Sequence, residues 1–213
     1  MALYLTIVAL GVSLLASANL IFFPESFDNY AIWIIVVLLL SVVAEIAITA
    51  TFSFLAELLP EKWFNPKKKL FQVSRREQRF YEKLGIKIWK DRICELGDLI
   101  GHNKKKVKDP KSVEYVQMFI LESNRAMVGH YMDAIASFAI VFMLPFKYFW
   151  RISMPVAIIA MILNLLPTMI LRYNLPKFHI ILKRLKRLEG RLKIKPSEPS
   201  NIVSDKVVEK QPE

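Results

Sequence analysis

A single cysteine, Cys94, occurs in 213 residues. No disulfide can form within the chain, which excludes a disulfide-stapled secreted scaffold. Glycine is sparse, at six residues, and no glycine-rich loop forms a P-loop or a dinucleotide fingerprint. Three histidines occur without a His-Glu-X-X-His or a paired Cys-X-X-Cys pattern. No metal and no resident cofactor are therefore expected. Internal repeats are absent as well.

Apolar residues and positive charge are plentiful. The chain is 54% hydrophobic and carries a formal net charge of +11, a combination rare in a soluble domain of this size. The apolar residues fall in long runs: 2–23, 31–59, 131–146 and 152–171. Each approaches the roughly 20 residues needed to cross about 30 Å of hydrocarbon, the third if it begins near Met127. The expected fold is all-α: an integral membrane bundle of about four transmembrane helices plus cytoplasmic amphipathic interfacial helices. Residues 1–59 would hold two membrane helices, 60–125 a basic interfacial segment and 126–173 two further membrane helices. An amphipathic basic helix at 174–194 and a disordered polar tail at 195–213 complete this division. Trp33, Trp63, Tyr148 and Trp150 lie near run ends, where aromatic rings favour the interface. The first run has a small-residue "ASA" at 16–18, as in a signal peptide, but lacks the positive n-region, so it is read as a retained helix.

Loop charge sets the expected orientation. Residues 60–125 carry 17 Lys/Arg against 9 Asp/Glu, and residues 172–213 carry 11 against 5. The positive-inside rule places both segments in the cytoplasm, and with four crossings the N-terminus as well. The expected location is thus the cell membrane, multi-pass. The basic residues lie beside the crossings and alternate with apolar ones. That pattern favours membrane lipids as partners over nucleic acid. In "FHIILKRLKRLEGRLKIK" (178–195), Phe178, Ile181, Leu182, Leu185 and Leu188 form one face and lysines and arginines the other, so a helix lying in the head-group plane is expected. Asn174 and Pro176 suit its first turn.

The segment "FILESNRAMVGHYMDAIASFAIVFMLPF" (119–146) carries ionisable groups into an apolar run. Asp109 and Pro110 suit a helix start and Pro145 a stop. On one continuous helix Glu122, Gly129 and Asp133 fall within roughly 40° of each other, with Arg125 about 60° to one side and His130 about 80° to the other. Ala126 and Gly129 would leave a groove open to a substrate or to another backbone. One reading is a packing network, since Glu122 and Arg125 pair at i,i+3 on any helix. The other is a site, because ionisable groups entering lipid are costly and face inward. In that reading His130 is the general base, Glu122 or Asp133 orients it, and Arg125 holds a phosphate or an oxyanion. Glu45, in the middle of the second run, is read as structural, either a buried partner for a polar group such as Asn19 or Asn164 or a protonated acid. Cys94 is read as a buried thiol, His102 as a solvated loop residue and His179 as an interfacial one.

Four segments, "LPEKWFNP" (59–66), "LGIKIWKDRICELG" (84–97), "LESNRAMVGHY" (121–131) and "NLLPTMILRYNLPKFHIILKRLKR" (164–187), resemble the bacterial glycosyl-carotenoid (glycosyl-diaponeurosporenoate) acyltransferases. That family's elements are Arg-Lys-Trp-Lys, Glu-X-X-Arg-Ala-Glu-X-X-His and Arg-Tyr-Asn-Arg-Pro-Arg. Here they appear as Lys87, Ile88, Trp89 and Lys90; as Glu122, Arg125, Ala126 and His130; and as Arg172, Tyr173, Asn174, Pro176 and Lys177. Met127 stands where the family has an acid, Leu175 replaces an arginine, and the first apolar run is additional to the family core.

The resemblance implies transfer of a fatty acyl group from an activated donor, acyl-CoA or another, to a hydroxyl of a membrane lipid or glycolipid. His130, Glu122, Arg125 and Asp133 would then be catalytic. Lys87, Trp89, Lys90, Arg172, Asn174 and Lys177 would bind substrate, the basic members holding donor phosphates. The alternative from the residues alone is a non-catalytic lipid-binding or assembly subunit whose polar stripe is structural. A small transporter is less consistent, because only Glu45 is central in the apolar runs.

Overall fold

The two N-terminal apolar runs contain no internal proline and one glycine, and both fold as single helices: α1 (Ala2–Phe22) and α2 (Tyr30–Glu57). The computed structural model describes residues 2–25, 29–91, 93 and 109–194, and all of its elements are helical, with no strand among the described residues. After α2 come the 3₁₀ turns Glu61–Phe64 and Lys69–Phe71, then α3 (Arg75–Lys83) and α4 (Ile86–Trp89). Ser74 starts α3 by accepting the Glu77 amide. Gly85, at φ 68°, ends it in the left-handed conformation that glycine adopts without strain. α5 (Val113–Ala136) continues into a 3₁₀ segment, Ser137–Phe142. A second 3₁₀ turn, Phe146–Tyr148, and a π-helical turn, Phe149–Ser153, lead into α6 (Met154–Ile194).

α5 runs antiparallel to both α2 and α6. At one end Tyr30, Ile34, Leu38, Ile140, Ile152 and Ala157 form an apolar core. At the other, Phe64 and Phe71 pack with Val116, Ile120 and Met127 of α5 and with Leu171, Leu175 and Phe178 of α6. A third cluster, of Tyr81, Ile86, Ile170 and Tyr173, seats α3 and α4 against α6. Many large side chains of α1 and α2, including Leu10, Leu14, Leu40 and Ile46, face outward.

Among the described residues, three helices are long and apolar enough to cross a membrane: α1, α2 and the stretch that contains α6. They are compatible with a membrane protein. The expected third crossing at 131–146 is not one helix. α5 ends at Ala136 and the chain tightens into 3₁₀ geometry, whose larger rise of about 2 Å per residue still carries it to the far end of the bundle. α5 is capped by Ser112, whose Oγ accepts the Tyr115 amide, rather than by Asp109, which accepts the Lys111 amide in the turn before it.

The separate amphipathic helix expected at 174–194 is absent as a separate element, because α6 passes through Pro167 and Pro176 without a break. The apolar face made by Phe178, Ile181, Leu182 and Leu185 packs on α5 and the first 3₁₀ turns, so it is not free to lie in a head-group layer. The divisions drawn at 126 and 174 likewise fall inside α5 and α6. Tyr148 is a core residue, its ring tilted against that of Trp33 at 4.7 Å, while Trp63 and Trp150 are exposed. Cys94, His102 and the tail 195–213 lie outside the described residues.

Candidate functional site

The polar residues of α5 lie at the end of the bundle where α2 stops. Glu122 and Arg125, one turn apart, form an ion pair at 2.6 Å. Glu57, in the last turn of α2, lies 3.6 Å from the same guanidinium. The Phe64 ring sits under it at 5.2 Å. Asn124 fixes that ring by donating to the Phe64 carbonyl at 2.9 Å. Arg125 is thus oriented on three sides, yet its Nε is buried and makes no hydrogen bond. A buried donor without a partner carries a desolvation cost. His130 is half-buried a little more than one turn further along α5.

Asp133 lies about two turns beyond Arg125 on α5. It is fully buried, and its Oδ2 accepts the Ser53 hydroxyl of α2 at 3.0 Å, while Oδ1 has no hydrogen-bond partner. At Gly129 the expected groove is met by the Ala56 side chain of α2. A Cβ placed on Gly129 would meet the Ala56 Cβ at 3.5 Å. Glu45 is buried beside Ser137, not beside Asn19 or Asn164. Asn19 instead bonds Arg151 and the Leu15 carbonyl, and Asn164 bonds Ala160 in its own helix.

Arg172 of α6 makes a two-pronged contact with Glu77 of α3, with Nη2 to Oε2 at 2.9 Å and Nε to Oε1. It also donates to the Leu70 carbonyl and, at 3.3 Å, to the Gln72 carbonyl. Its remaining proton points at the Met127 sulfur, 3.8 Å away. A guanidinium has five N–H groups, and all are engaged. Tyr81 adds a hydrogen bond to Glu77 Oε1 at 2.6 Å. The Arg172 guanidinium holds the Glu77 carboxyl below its usual range, while burial and then Glu77 push the Tyr81 phenol up. Arg172, expected to bind substrate, therefore anchors the 60–83 segment to the bundle and has no donor left for a ligand.

The lysines behave differently. Lys177 lies over the Tyr173 ring at 4.7 Å and Lys90 over the same ring at 5.9 Å. Lys87 pairs with Glu82 at 2.9 Å, and Glu82 accepts the Tyr173 hydroxyl at 3.4 Å. Trp89 is half-buried, packed against the cluster of Tyr81, Ile86, Ile170 and Tyr173, its indole N–H bonded to the Leu84 carbonyl at 3.0 Å. Asn174 is buried in α6. One acid faces three ammonium groups, so this surface is suited to an anion.

The structure therefore brings Glu122 and Arg125 together and gathers Lys87, Trp89, Lys90 and Lys177. It pairs Asp133 with α2 and turns Arg172 inward. Sequence reasoning missed Glu57, Phe64, Asn124 and Glu77, and gave Tyr173, though part of a family element, no role. Glu77 had a local signal, the Ser-X-X-Glu capping pattern at 74–77; Glu57, Phe64 and Asn124 meet their partners through the fold. Among the described residues no cluster of His, Cys, Asp and Glu suits a metal ion.

An all-helical chain of this kind, with membrane-length apolar helices and both a polar and a basic cluster towards one end, is a natural frame for chemistry on lipids. The sequence model of the glycosyl-4,4'-diaponeurosporenoate acyltransferase family, CrtO, matches residues 60–184, more than half of the chain, and the chain belongs to that family. No curated protein and no solved structure matches it. The matched span begins at the end of α2 and contains both the Arg125 and the lysine groups, whereas α1 and α2 lie outside it.

Proposed function

We propose that this chain is a membrane-bound O-acyltransferase that moves a fatty acyl group from an activated thioester donor to a hydroxyl of an amphiphilic lipid or glycolipid at the cytoplasmic membrane face. Family membership supports an acyltransferase of carotenoid glycolipid synthesis. The observation that carries the site is the buried, unpartnered Nε of Arg125, on the same helix as the half-buried His130.

In this reading His130 takes the hydroxyl proton as the oxygen attacks the thioester carbonyl carbon. The tetrahedral oxyanion is stabilised by Arg125, whose position is set by Glu122, Glu57 and Phe64. The carbon–sulfur bond then breaks and the proton passes from His130 to the departing thiolate. Lys87, Lys90 and Lys177 hold the anionic part of the donor. Asp133 and Arg172 contribute by positioning α2 and the 60–83 segment. The 127–142 stretch serves as the third of four crossings in chain order, and both termini are cytoplasmic.

A second reading has its own support: Glu57, Glu122 and Arg125, together with Ser53 and Asp133, tie α5 to α2 as a packing network would. Purified His130→Ala and Arg125→Ala variants separate the two. The enzyme reading expects melting temperatures near the parent and at least a hundredfold loss of acyl transfer. Lower stability in both variants, with no new acylated lipid in cells expressing the parent, would falsify the enzyme reading and leave the packing network.

A further inference from the structure

The distal half of α6 carries a basic stripe whose origin is the lysine group. At 100° per residue, Lys177, Arg184, Arg187 and Arg191 all fall within about 40° of the direction of Tyr173. Lys177 covers the Tyr173 ring at 4.7 Å, and Arg184, Arg187 and Arg191 are exposed beyond it. A shallow groove of about 490 Å³ runs along this side, lined by Ile180, Lys183, Arg184, Arg187, Leu188 and Arg191. It combines cations with two apolar side chains. Glu189 is the only acid on α6.

Position along the axis decides what can reach this stripe. The uncharged run of α6 ends at Leu171, where the Arg172 clamp begins. From there Arg184 is about 18 Å and Arg191 about 28 Å further along the helix. The head-group layer extends only about 5–8 Å beyond the hydrocarbon. The distal half does not fold back. α5 contains no proline, its upper half packs on α2, and its lower half continues past the α2 end with Phe119 edge-on to Phe178 of α6 at 5.0 Å. With the hydrocarbon boundary at the Arg172 clamp, the stripe stands clear of lipid head groups and faces water.

We propose that this stripe, continuous with Lys177, docks the phosphate-bearing handle of a soluble, nucleotide-type acyl donor of the coenzyme A class. The inference rests on the acyltransferase reading and names the donor class for it.

The test uses the full chain in an uncharged detergent, titrated with coenzyme A and, separately, with micelles containing phosphatidylglycerol. An Arg184→Gln/Arg187→Gln/Arg191→Gln variant is compared with one that loses equal charge elsewhere, Lys62→Gln/Lys69→Gln/Arg79→Gln. The expected result is at least tenfold weaker coenzyme A binding in the first variant, less than twofold in the second, and unchanged melting temperatures. Three results would overturn the proposal: no coenzyme A binding by the parent, equal weakening in both variants, or a stripe variant that loses only its response to phosphatidylglycerol. Acyl transfer is assayed on the same preparations. Transfer from a non-nucleotide donor without coenzyme A binding ends the docking inference and leaves the acyltransferase intact. Stripe-dependent binding without transfer from any donor supports docking and ends the enzyme reading.

Discussion

Arg172 spends every N–H group it has on protein: Glu77, the Leu70 and Gln72 carbonyls and the Met127 sulfur. Its side chain is 11% exposed and that of Glu77 24%, so removing one partner strands the other largely out of water. Arg172→Ala should cost about 3–5 kcal/mol, read as a lower melting temperature. Arg172→Lys should recover only part of this, because an ammonium cannot span both carboxylate oxygens and two carbonyls. The pair also sets an acid response. Glu77 has its folded pKa depressed by Arg172, so its contribution is complete above the unfolded value of about 4.3 and is lost as pH falls through the lower folded value. Melting temperature between pH 6 and 3 should fall less steeply in Glu77→Gln than in the parent. An equal slope would show that other carboxylates govern acid unfolding. Nothing around "LRYNLPK" distinguishes an inward anchor from an outward ligand. The inversion of Arg172 became visible only when α3 was placed against α6.

Helix pairing decided what the α5 stripe faces. On a helical wheel Ala126 and Gly129 form a gap; in the fold that gap receives Ala56 of α2. An added methyl at Gly129 would make ordinary contact at 3.5 Å, and alanine favours a helix over glycine by up to about 1 kcal/mol. Gly129→Ala is therefore expected to melt at or above the parent temperature with activity retained, whereas Gly129→Leu should separate α2 from α5 and lower stability. Loss of activity in a stable Gly129→Ala protein would restore the groove as a substrate path. The periodicities of α5 and α6 were legible in the sequence, and so was the Glu122–Arg125 pair. The continuity of α6 was not, because Asn174 and Pro176 match a helix start as well as they match a helix interior whose neighbours hold it straight. The distal apolar face of α6 was legible as a face, but not as one already covered by α5.

For the molecule as a whole, two arginines bracket the apolar layer. Arg151 binds Glu25 at 2.9 Å, Asn19 at 3.3 Å and the Phe23 carbonyl at 2.9 Å, and also contacts Tyr30, tying α1, α2 and the start of α6 together. Arg172 does the corresponding work at the other end. They are 21 positions apart, about 31 Å along a helix, which matches a hydrocarbon thickness of about 30 Å. If the Arg172 end is cytoplasmic, Lys62→Cys and Arg79→Cys in a Cys94→Ser background should react with an impermeant maleimide only after the membrane is opened. Lys147→Cys, beside Arg151, should react in intact cells. The reverse pattern would invert the orientation and remove the cytoplasmic donor from the proposal.

Composition and periodicity by themselves determined the helical class, the long apolar runs and the basic character of the segments between them, because hydrophobic length and charge are local properties of a chain. The motif order identified the family from the same information. Tertiary structure alone decided which ionisable groups are committed to one another. Arg172 found Glu77, Asp133 found Ser53, and Arg125 kept a donor in reserve, since such pairings depend on which helix faces which across distances that no spacing in the sequence encodes.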